Sequence, residues 1–111
     1  SVVDKWGNAV SNTYTLNTAY GSGIVPFGTG ILMNNEMDDF SSKPGFPNAY
    51  GLVGSEANKI EPRKTPLSSM SPVIVFHDDK PFLITGSPGG STIITSVLQE
   101  ILNVLDFQMS F

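Results

Sequence analysis

The sequence of 111 residues contains no cysteine and only one histidine. The absence of cysteine excludes disulfides, thiolate catalysis and cysteine-based metal sites, and it leaves the redox compartment undecided. His77 stands between an apolar run and Asp78-Asp79, which predicts a solvated turn, with a proton shuttle as the alternative. A single histidine does not make a metal centre, so we expect neither a metal ion nor a cofactor.

Charged residues are also scarce. They make up 14% of the chain, against 40% hydrophobic residues, and the net charge is −4. The six basic residues are scattered, which excludes a nucleic-acid partner, because neutralising phosphates requires clustered Lys and Arg. The longest uninterrupted apolar run, Val73–Phe76, is too short to span a membrane. A low content of charged residues is typical of a sheet that is buried on both sides, or of a fragment of a larger protein.

The length sets a limit on domain organisation. At 111 residues the chain is one domain at most, and we expect residues 1–111 to form a single partial domain. A strand is already under way at Ser1, which no methionine precedes. The other end, Phe107–Phe111, stops in apolar sequence without a helix cap. We therefore expect both ends to be truncated.

The N-terminal segment predicts a β-hairpin. Its strands are Ser1–Asp4 and Ala9–Leu16, joined by the glycine-containing turn Lys5–Asn8. Thr15 and Asn17 lie two residues apart and face the same way at the end of the second strand. Two hydrogen-bonding side chains aimed alike could serve a site, and a water-facing strand surface is the alternative.

The middle of the chain has little periodicity. A short strand is predicted at Ile31–Met33, between loops at residues 21–30 and 41–65 that are rich in Gly, Pro, Asn and Ser. A structureless stretch as long as the second loop indicates a functional loop or a missing partner.

The C-terminal part predicts a second hairpin and a helix. Val73–His77 and Pro81–Thr85 flank the turn Asp78–Lys80. Apolar residues at helical spacing then predict a helix over Ser91–Leu105, whose wide apolar face must cover a sheet. Strands with a covering helix indicate an α+β fold.

Two segments combine hydroxyls with flexible backbone. Pro66–Pro72 carries Ser68 and Ser69 between prolines, and Gly89-Gly90 precede the predicted helix. Hydroxyls can hold a carboxylate, and backbone amides at a helix start can stabilise an oxyanion, which suggests acyl transfer on a small acidic substrate. Ordinary loop serines and a tight glycine turn are the alternatives. Nucleotide binding is disfavoured because the phosphate-loop lysine is absent.

Three carboxylates, those of Glu36, Asp38 and Asp39, cluster after the predicted central strand. They lack the spacing of an EF-hand calcium loop. Paired carboxylates suit the capture of an ammonium group, and a solvated charged face is the alternative.

A serine–histidine triad within the chain is not plausible. His77 is the only histidine base, and no Gly-x-Ser-x-Gly elbow occurs. Acyl transfer would need another nucleophile, such as an N-terminal hydroxyl residue that uses its own α-amine as base.

A series of motifs, in order along nearly the whole chain, carries a family resemblance. They are Ser1–Lys5, Gly7–Val10, Thr13–Asn17, Leu32–Phe40, Lys43–Gly45, Tyr50–Gly54, Pro66–Pro72 and Thr85–Ser91. In these motifs the sequence resembles the small subunit of the gamma-glutamyltransferases, which are N-terminal-nucleophile hydrolases.

The resemblance implies roles for individual residues. Catalytic roles fall on Thr15, which would hydrogen-bond the nucleophile's hydroxyl, and on the amides of Gly89 and Gly90 as oxyanion hole. Substrate binding falls on two groups: Asn17, Glu36 and Asp39 for the glutamyl α-amino group, and Ser68 and Ser69 for its α-carboxylate. The hypothesis requires all of these to line one cleft.

The resemblance also implies an activity and a setting. The expected enzyme cleaves the γ-glutamyl amide of glutathione and passes the glutamyl group to water or amino acids, after autocatalytic cleavage of a zymogen. It implies a four-layer αββα sandwich, a large subunit from the same precursor as partner, and a periplasmic or secreted location. The family's nucleophilic threonine would lie about four residues before Ser1, so the chain alone is expected to be inactive.

Two alternatives stay open at this point. One is a related cephalosporin or glutaryl acylase on the same scaffold, whose substrate lacks the α-amino group and does not need the acids at Glu36 and Asp39. The other is a non-catalytic module that kept the scaffold.

Overall fold

The computed structural model describes residues 1–110, so Phe111, the last residue of the apolar end segment, lies outside the described part. The chain divides into two compact units. One contains residues 14–68, and the other contains residues 1–13 together with the residues from 69 onward. Each unit is described by itself below.

The N-terminal hairpin is much shorter than the sequence predicts. Strand β1, Val2–Val3, pairs antiparallel with β2, Ala9–Val10. The Asp4 carboxylate accepts from the amides of Trp6 and Asn8, both at 2.9 Å, and so holds the turn. The prediction of a strand as far as Leu16 was wrong, because β1 offers only two residues as ladder partners.

The second hairpin confirms its prediction. Strand β3, Val73–His77, pairs antiparallel with β4, Lys80–Thr85, and a register shift lies between Val75 and Phe76. Asp78 and Asp79 form the turn with φ of 50° and 59°. Two left-handed residues match the right-handed twist of the flanking strands, which explains the tight connection. Lys80, predicted in the turn, pairs with His77 instead.

One α-helix, α1, spans Ile93–Leu105 in the part of the chain that the structure describes. It begins two residues later than predicted, because Gly90–Thr92 form a tighter 3-10 turn first. Ile93 and Val97 are buried, whereas Ile94 and Leu98 are 55% and 53% exposed. The apolar face predicted to cover a sheet is therefore only partly covered by the described residues.

Contacts with the second hairpin fix the helix. The Thr85 hydroxyl at the end of β4 donates to the Glu100 carboxylate on α1. A cavity of about 290 Å³ lies beside this contact, and its lining includes none of the predicted site residues. No helix within residues 1–110 is long and apolar enough to cross a membrane.

The unit of residues 14–68 is mostly irregular, as its composition predicts. It contains two 3-10 turns, Glu36–Asp39 and Glu56–Asn58, and buries Phe40 and Ser41 between them in sequence. The strand predicted at Ile31–Met33 is absent. Met33 does exchange backbone hydrogen bonds with the Gly21–Gly30 loop, but these bonds are too few to propagate a ladder.

Candidate functional site

The predicted site residues are distributed over both units. Five belong to the unit of residues 14–68, namely Thr15, Asn17, Glu36, Asp39 and Ser68, and three belong to the other unit, namely Ser69, Gly89 and Gly90. The local geometry of each group follows.

Thr15 and Asn17 lie in a turn and not on a strand face, which corrects the sequence prediction. The Asn17 amide donates to the Thr15 hydroxyl at 2.8 Å. Asn17 has φ of 73°, in the left-handed region that Asn tolerates better than most residues. A threonine hydroxyl that accepts from the amide two residues later is a local turn motif. The two residues are thus held as one structural element.

The Asn17 side chain is fully oriented by its neighbours. Its Nδ2 donates to the Asn35 carbonyl at 3.3 Å, and its Oδ1 accepts from the Tyr50 hydroxyl at 2.9 Å. The Asn35 amide in turn donates to the Leu16 carbonyl at 3.2 Å. Asn17 therefore lies directly beside the residue that precedes the acidic turn.

Tyr50 is a site neighbour that sequence reasoning missed. It lies in the irregular loop, where Asn48 Oδ1 accepts from the amides of Tyr50 and Leu52 at 2.9 and 3.0 Å. The Asn-x-Tyr-Gly pattern signals a turn, but no local signal places the hydroxyl against Asn17, since the two residues lie 33 positions apart.

The acidic turn brings Glu36 and Asp39 together. Asn34 Oδ1 accepts from the Glu36 amide at 3.1 Å at the start of the turn. Residues three apart in a 3-10 turn lie on the same side, so the two carboxylates face each other. Burial, together with the side-chain contact and the charge of the adjacent Asp39 carboxylate, raises the pKa of Glu36 to about 7, and burial is the largest of these causes.

The Glu36 carboxylate is short of donors. Within residues 1–110 its Oε1 is buried and meets no hydrogen-bond donor. When Glu36 is ionised, a buried oxygen without a donor beside a second carboxylate is costly unless a cation approaches. The arrangement fits an ammonium group, which brings three N–H donors and a positive charge.

Ser68 and Ser69 follow Leu67, whose amide donates to Asn58 Oδ1 at 3.0 Å. Ser68 is exposed and Ser69 is half-buried. The carbonyl of Ser69 accepts from the Ser71 hydroxyl at 3.0 Å. The serine pair thus has a backbone fixed on both sides, with one hydroxyl-bearing residue open to solvent.

Gly89 and Gly90 occupy backbone conformations that favour glycine. Their φ values are 137° and 56°. The Gly89 carbonyl accepts from the amide and hydroxyl of Thr92 at 3.1 and 2.8 Å. A Cβ at Gly89 would meet the Thr92 hydroxyl at 2.7 Å, so any side chain there is strained. The two glycines lead into α1 through the Gly90–Thr92 turn, as predicted.

His77 is solvated. Its side chain is 71% exposed, and Nδ1 lies 3.3 Å from the Asp78 carboxylate. This position confirms the predicted turn environment. Within residues 1–110 no three His, Asp or Glu side chains form a group that could hold a metal ion.

Comparison with known proteins gives a consistent result. The family model described as gamma-glutamyltranspeptidase matches residues 1–111. The glutathione hydrolase proenzyme of Escherichia coli (strain K12) is 64% identical over 110 residues, which are 99% of this chain and 19% of that protein. The chain thus spans about a fifth of the length of this relative.

Solved structures are similar throughout the chain. An acivicin-inhibited gamma-glutamyltranspeptidase, whose C-terminus is described as critical for autoprocessing and catalysis, matches with a TM-score of 0.93 and 64% identity. The match covers 98% of this chain and 58% of that one. The gamma-glutamyltranspeptidase of Pseudomonas nitroreducens complexed with L-DON matches with a TM-score of 0.94 and 61% identity, over 98% of this chain and 56% of that one.

Proposed function

This chain belongs to the gamma-glutamyltranspeptidase family, and from that membership we propose that it supplies the glutamyl-binding and oxyanion-hole part of a glutathione-cleaving enzyme. The enzyme cleaves the γ-glutamyl amide and transfers the glutamyl group to water or to an amino acid. The names of the relatives, glutathione hydrolase and gamma-glutamyltranspeptidase, support both the substrate and the transfer.

The acidic turn carries the proposal. Glu36 and Asp39 present two facing carboxylates, one with a buried oxygen that lacks a donor. The α-ammonium of a glutamyl substrate supplies that donor and neutralises the repulsion between the two acids. Asn17, oriented by Asn35 and Tyr50, contributes an amide oxygen to the same end of the substrate.

The α-carboxylate and the oxyanion of the substrate are bound by the remaining predicted site residues. In this account the hydroxyls of Ser68 and Ser69 donate to the α-carboxylate. The amides of Gly89 and Gly90 donate to the oxyanion that forms at the γ-carbonyl.

The chemical step uses a threonine nucleophile that the resemblance places about four residues before Ser1. Its hydroxyl oxygen attacks the γ-carbonyl carbon while its own α-amine takes the proton. The C–N bond then breaks, the proton passes to the leaving amine, and a glutamyl ester remains on the threonine. Water or an amino acid attacks this ester and restores the hydroxyl. Thr15 would hydrogen-bond that hydroxyl and orient it.

The wider setting is part of the same proposal. The chain is a partial small-subunit domain of a four-layer αββα sandwich, completed by a large subunit released from the same precursor. The word proenzyme in the relative's name and the autoprocessing described for the acivicin-inhibited structure support a cleaved precursor. A periplasmic or secreted location is proposed from the family resemblance alone.

The test compares γ-glutamyl anilide with glutaryl anilide, which lacks only the α-amino group, as substrates of the full-length enzyme. We expect glutathione cleavage and a preference of at least about a hundredfold in kcat/KM for γ-glutamyl anilide, since an unpaired buried carboxylate rejects the analogue. Equal turnover of the two anilides would favour the acylase alternative. A protein that cleaves neither anilide nor glutathione would be a non-catalytic module.

A further inference from the structure

Asn58 joins two segments that lie far apart in the sequence. Its side-chain Nδ2 donates to the Asp39 carbonyl at 2.7 Å, and its Oδ1 accepts from the Leu67 amide at 3.0 Å. Its main-chain carbonyl also accepts from the Ser41 amide at 2.8 Å. Asn58 thus forms two hydrogen bonds to the end of the acidic turn, at Asp39 and Ser41, and a third to the segment before Ser68, at Leu67.

The positions that Asn58 connects are those assigned to opposite groups of the substrate. Asp39 carries a carboxylate proposed to bind the α-ammonium. Leu67 directly precedes Ser68, which is proposed to bind the α-carboxylate. Both substrate groups are attached to the same carbon atom, so their binding groups must be held at one fixed separation. A small error in that separation weakens both interactions together.

We infer that Asn58 is a positioning residue that sets the separation between the ammonium-binding acids and the carboxylate-binding serine. The inference rests on the proposed function and adds to it a residue that does not contact the substrate. All three residues joined by the side chain, Asp39, Asn58 and Leu67, belong to the unit of residues 14–68.

An amide side chain suits this position. The side chain must donate to a carbonyl and accept from an amide, and a short amide can do both at once. Asn58→Asp keeps the shape and the acceptor for Leu67 but sets an oxygen against the Asp39 carbonyl. Asn58→Ala removes both hydrogen bonds. Asn58→Asp therefore loses one of the two side-chain hydrogen bonds, and Asn58→Ala loses both.

The experiment measures kcat and KM of the full-length enzyme and its variants with three anilides. These are γ-glutamyl anilide, glutaryl anilide without the α-amino group, and 4-aminobutyryl anilide without the α-carboxylate. We expect Asn58→Ala to raise KM for γ-glutamyl anilide by about tenfold to a hundredfold, with kcat changed less than about threefold. The two truncated substrates need only one end of the site, so their kinetics should change little.

The control is Asn103→Ala. Asn103 is also half-buried and accepts a side-chain hydrogen bond, from Gln99 Nε2 at 2.9 Å, but it lies on α1, in the unit that contains neither Asp39 nor Leu67. The preference for γ-glutamyl over glutaryl anilide should survive in Asn103→Ala and shrink in Asn58→Ala, with Asn58→Asp between them. A general loss of folded enzyme would lower the rates on all three substrates equally and leave the preference unchanged.

The outcomes separate the inference from the proposed function. If the unmodified enzyme does not discriminate between the anilides, the proposed function fails. If it discriminates and both Asn58 variants keep the same preference, the positioning role of Asn58 is overturned. If Asn58→Ala does not fold, the preference of Asn58→Asp for γ-glutamyl over glutaryl anilide tests the positioning role in its place.

Discussion

The carboxylates of Glu36 and Asp39 face each other within one 3-10 turn, and the charge of Asp39 helps to raise the pKa of Glu36 to about 7. Two adjacent carboxylates repel each other unless one is protonated or a cation lies between them. The turn is therefore unfavourable when empty at alkaline pH and favourable when it holds an ammonium group. The first two predictions below depend on this relationship.

The first prediction concerns pH and substrate binding. Below pH 7 the free enzyme carries a protonated Glu36, which attracts an ammonium less strongly. We expect kcat/KM for γ-glutamyl anilide to fall as the pH is lowered through about 7. A bound ammonium stabilises the ionised form of Glu36 and so lowers its pKa in the enzyme–substrate complex. Since kcat reports that complex, kcat should fall at a lower pH than kcat/KM does.

The control for this prediction is Glu36→Gln, which keeps an acceptor oxygen but does not titrate. The α-amine of the proposed threonine titrates in a nearby range, so only the difference between the two profiles reports on Glu36. Identical pH profiles for the two enzymes would show that Glu36 does not titrate in the site.

The second prediction concerns stability without substrate. The pKa of Glu36 is raised in the folded state, from an ordinary value of 4.5 to about 7. Below pH 4.5 Glu36 is protonated in both the folded and the unfolded state, so it does not destabilise the folded enzyme. Its destabilising effect grows between pH 4.5 and 7 and is complete above pH 7. Glu36→Gln should therefore raise the melting temperature at pH 8 relative to the unmodified enzyme. An equal difference between the two proteins at pH 4.5 and pH 8 would contradict this linkage.

The third prediction concerns Tyr50. Tyr50→Phe removes the donor to Asn17 Oδ1 and leaves the ring in place. Loss of one hydrogen bond at a partly exposed position corresponds to about 0.5–1.5 kcal/mol, so KM for γ-glutamyl anilide should rise by about twofold to tenfold. Tyr20→Phe is the matched control, since Tyr20 is 76% exposed and was assigned no role. The same KM in both variants would remove Tyr50 from the site.

The fourth prediction concerns the glycine pair. Gly90 has φ of 56°, so Gly90→Ala strains the backbone that carries the proposed oxyanion donors. We expect kcat to fall at least about tenfold while KM changes less, because an oxyanion forms only during the reaction. Gly28→Ala is the control: Gly28 has φ of 78°, and a Cβ there meets nothing within 4 Å. An equal loss of kcat in both variants would attribute the effect to general backbone strain.

The regular elements of the C-terminal part could be predicted from the sequence. Helical spacing of apolar residues gave α1 to within two residues of its start, and paired apolar runs around Asp78-Asp79 gave the β3–β4 hairpin. The N-terminal hairpin was predicted too long, because alternation in Ala9–Leu16 says nothing about whether a partner strand extends alongside it.

The irregular part of the site could be predicted only in part. Glu36 and Asp39 are close in sequence, so their proximity follows from any helical turn. The contacts of Asn17 with Tyr50 and of Asn58 with Asp39 and Leu67 join distant positions through side chains. Such contacts depend on the path of an irregular chain, which no local periodicity encodes.

The most direct test of the account is the glutathione-cleaving activity of the full-length enzyme when the assigned binding residues are removed. Asp39→Ala and the double variant Ser68→Ala/Ser69→Ala should each raise KM for glutathione by at least about tenfold, since each removes charged hydrogen bonds to the substrate. Asp38→Ala, which removes a neighbouring carboxylate with no assigned role, should leave KM nearly unchanged. Unaltered glutathione turnover in both the Asp39 and the Ser68/Ser69 variants would contradict the account.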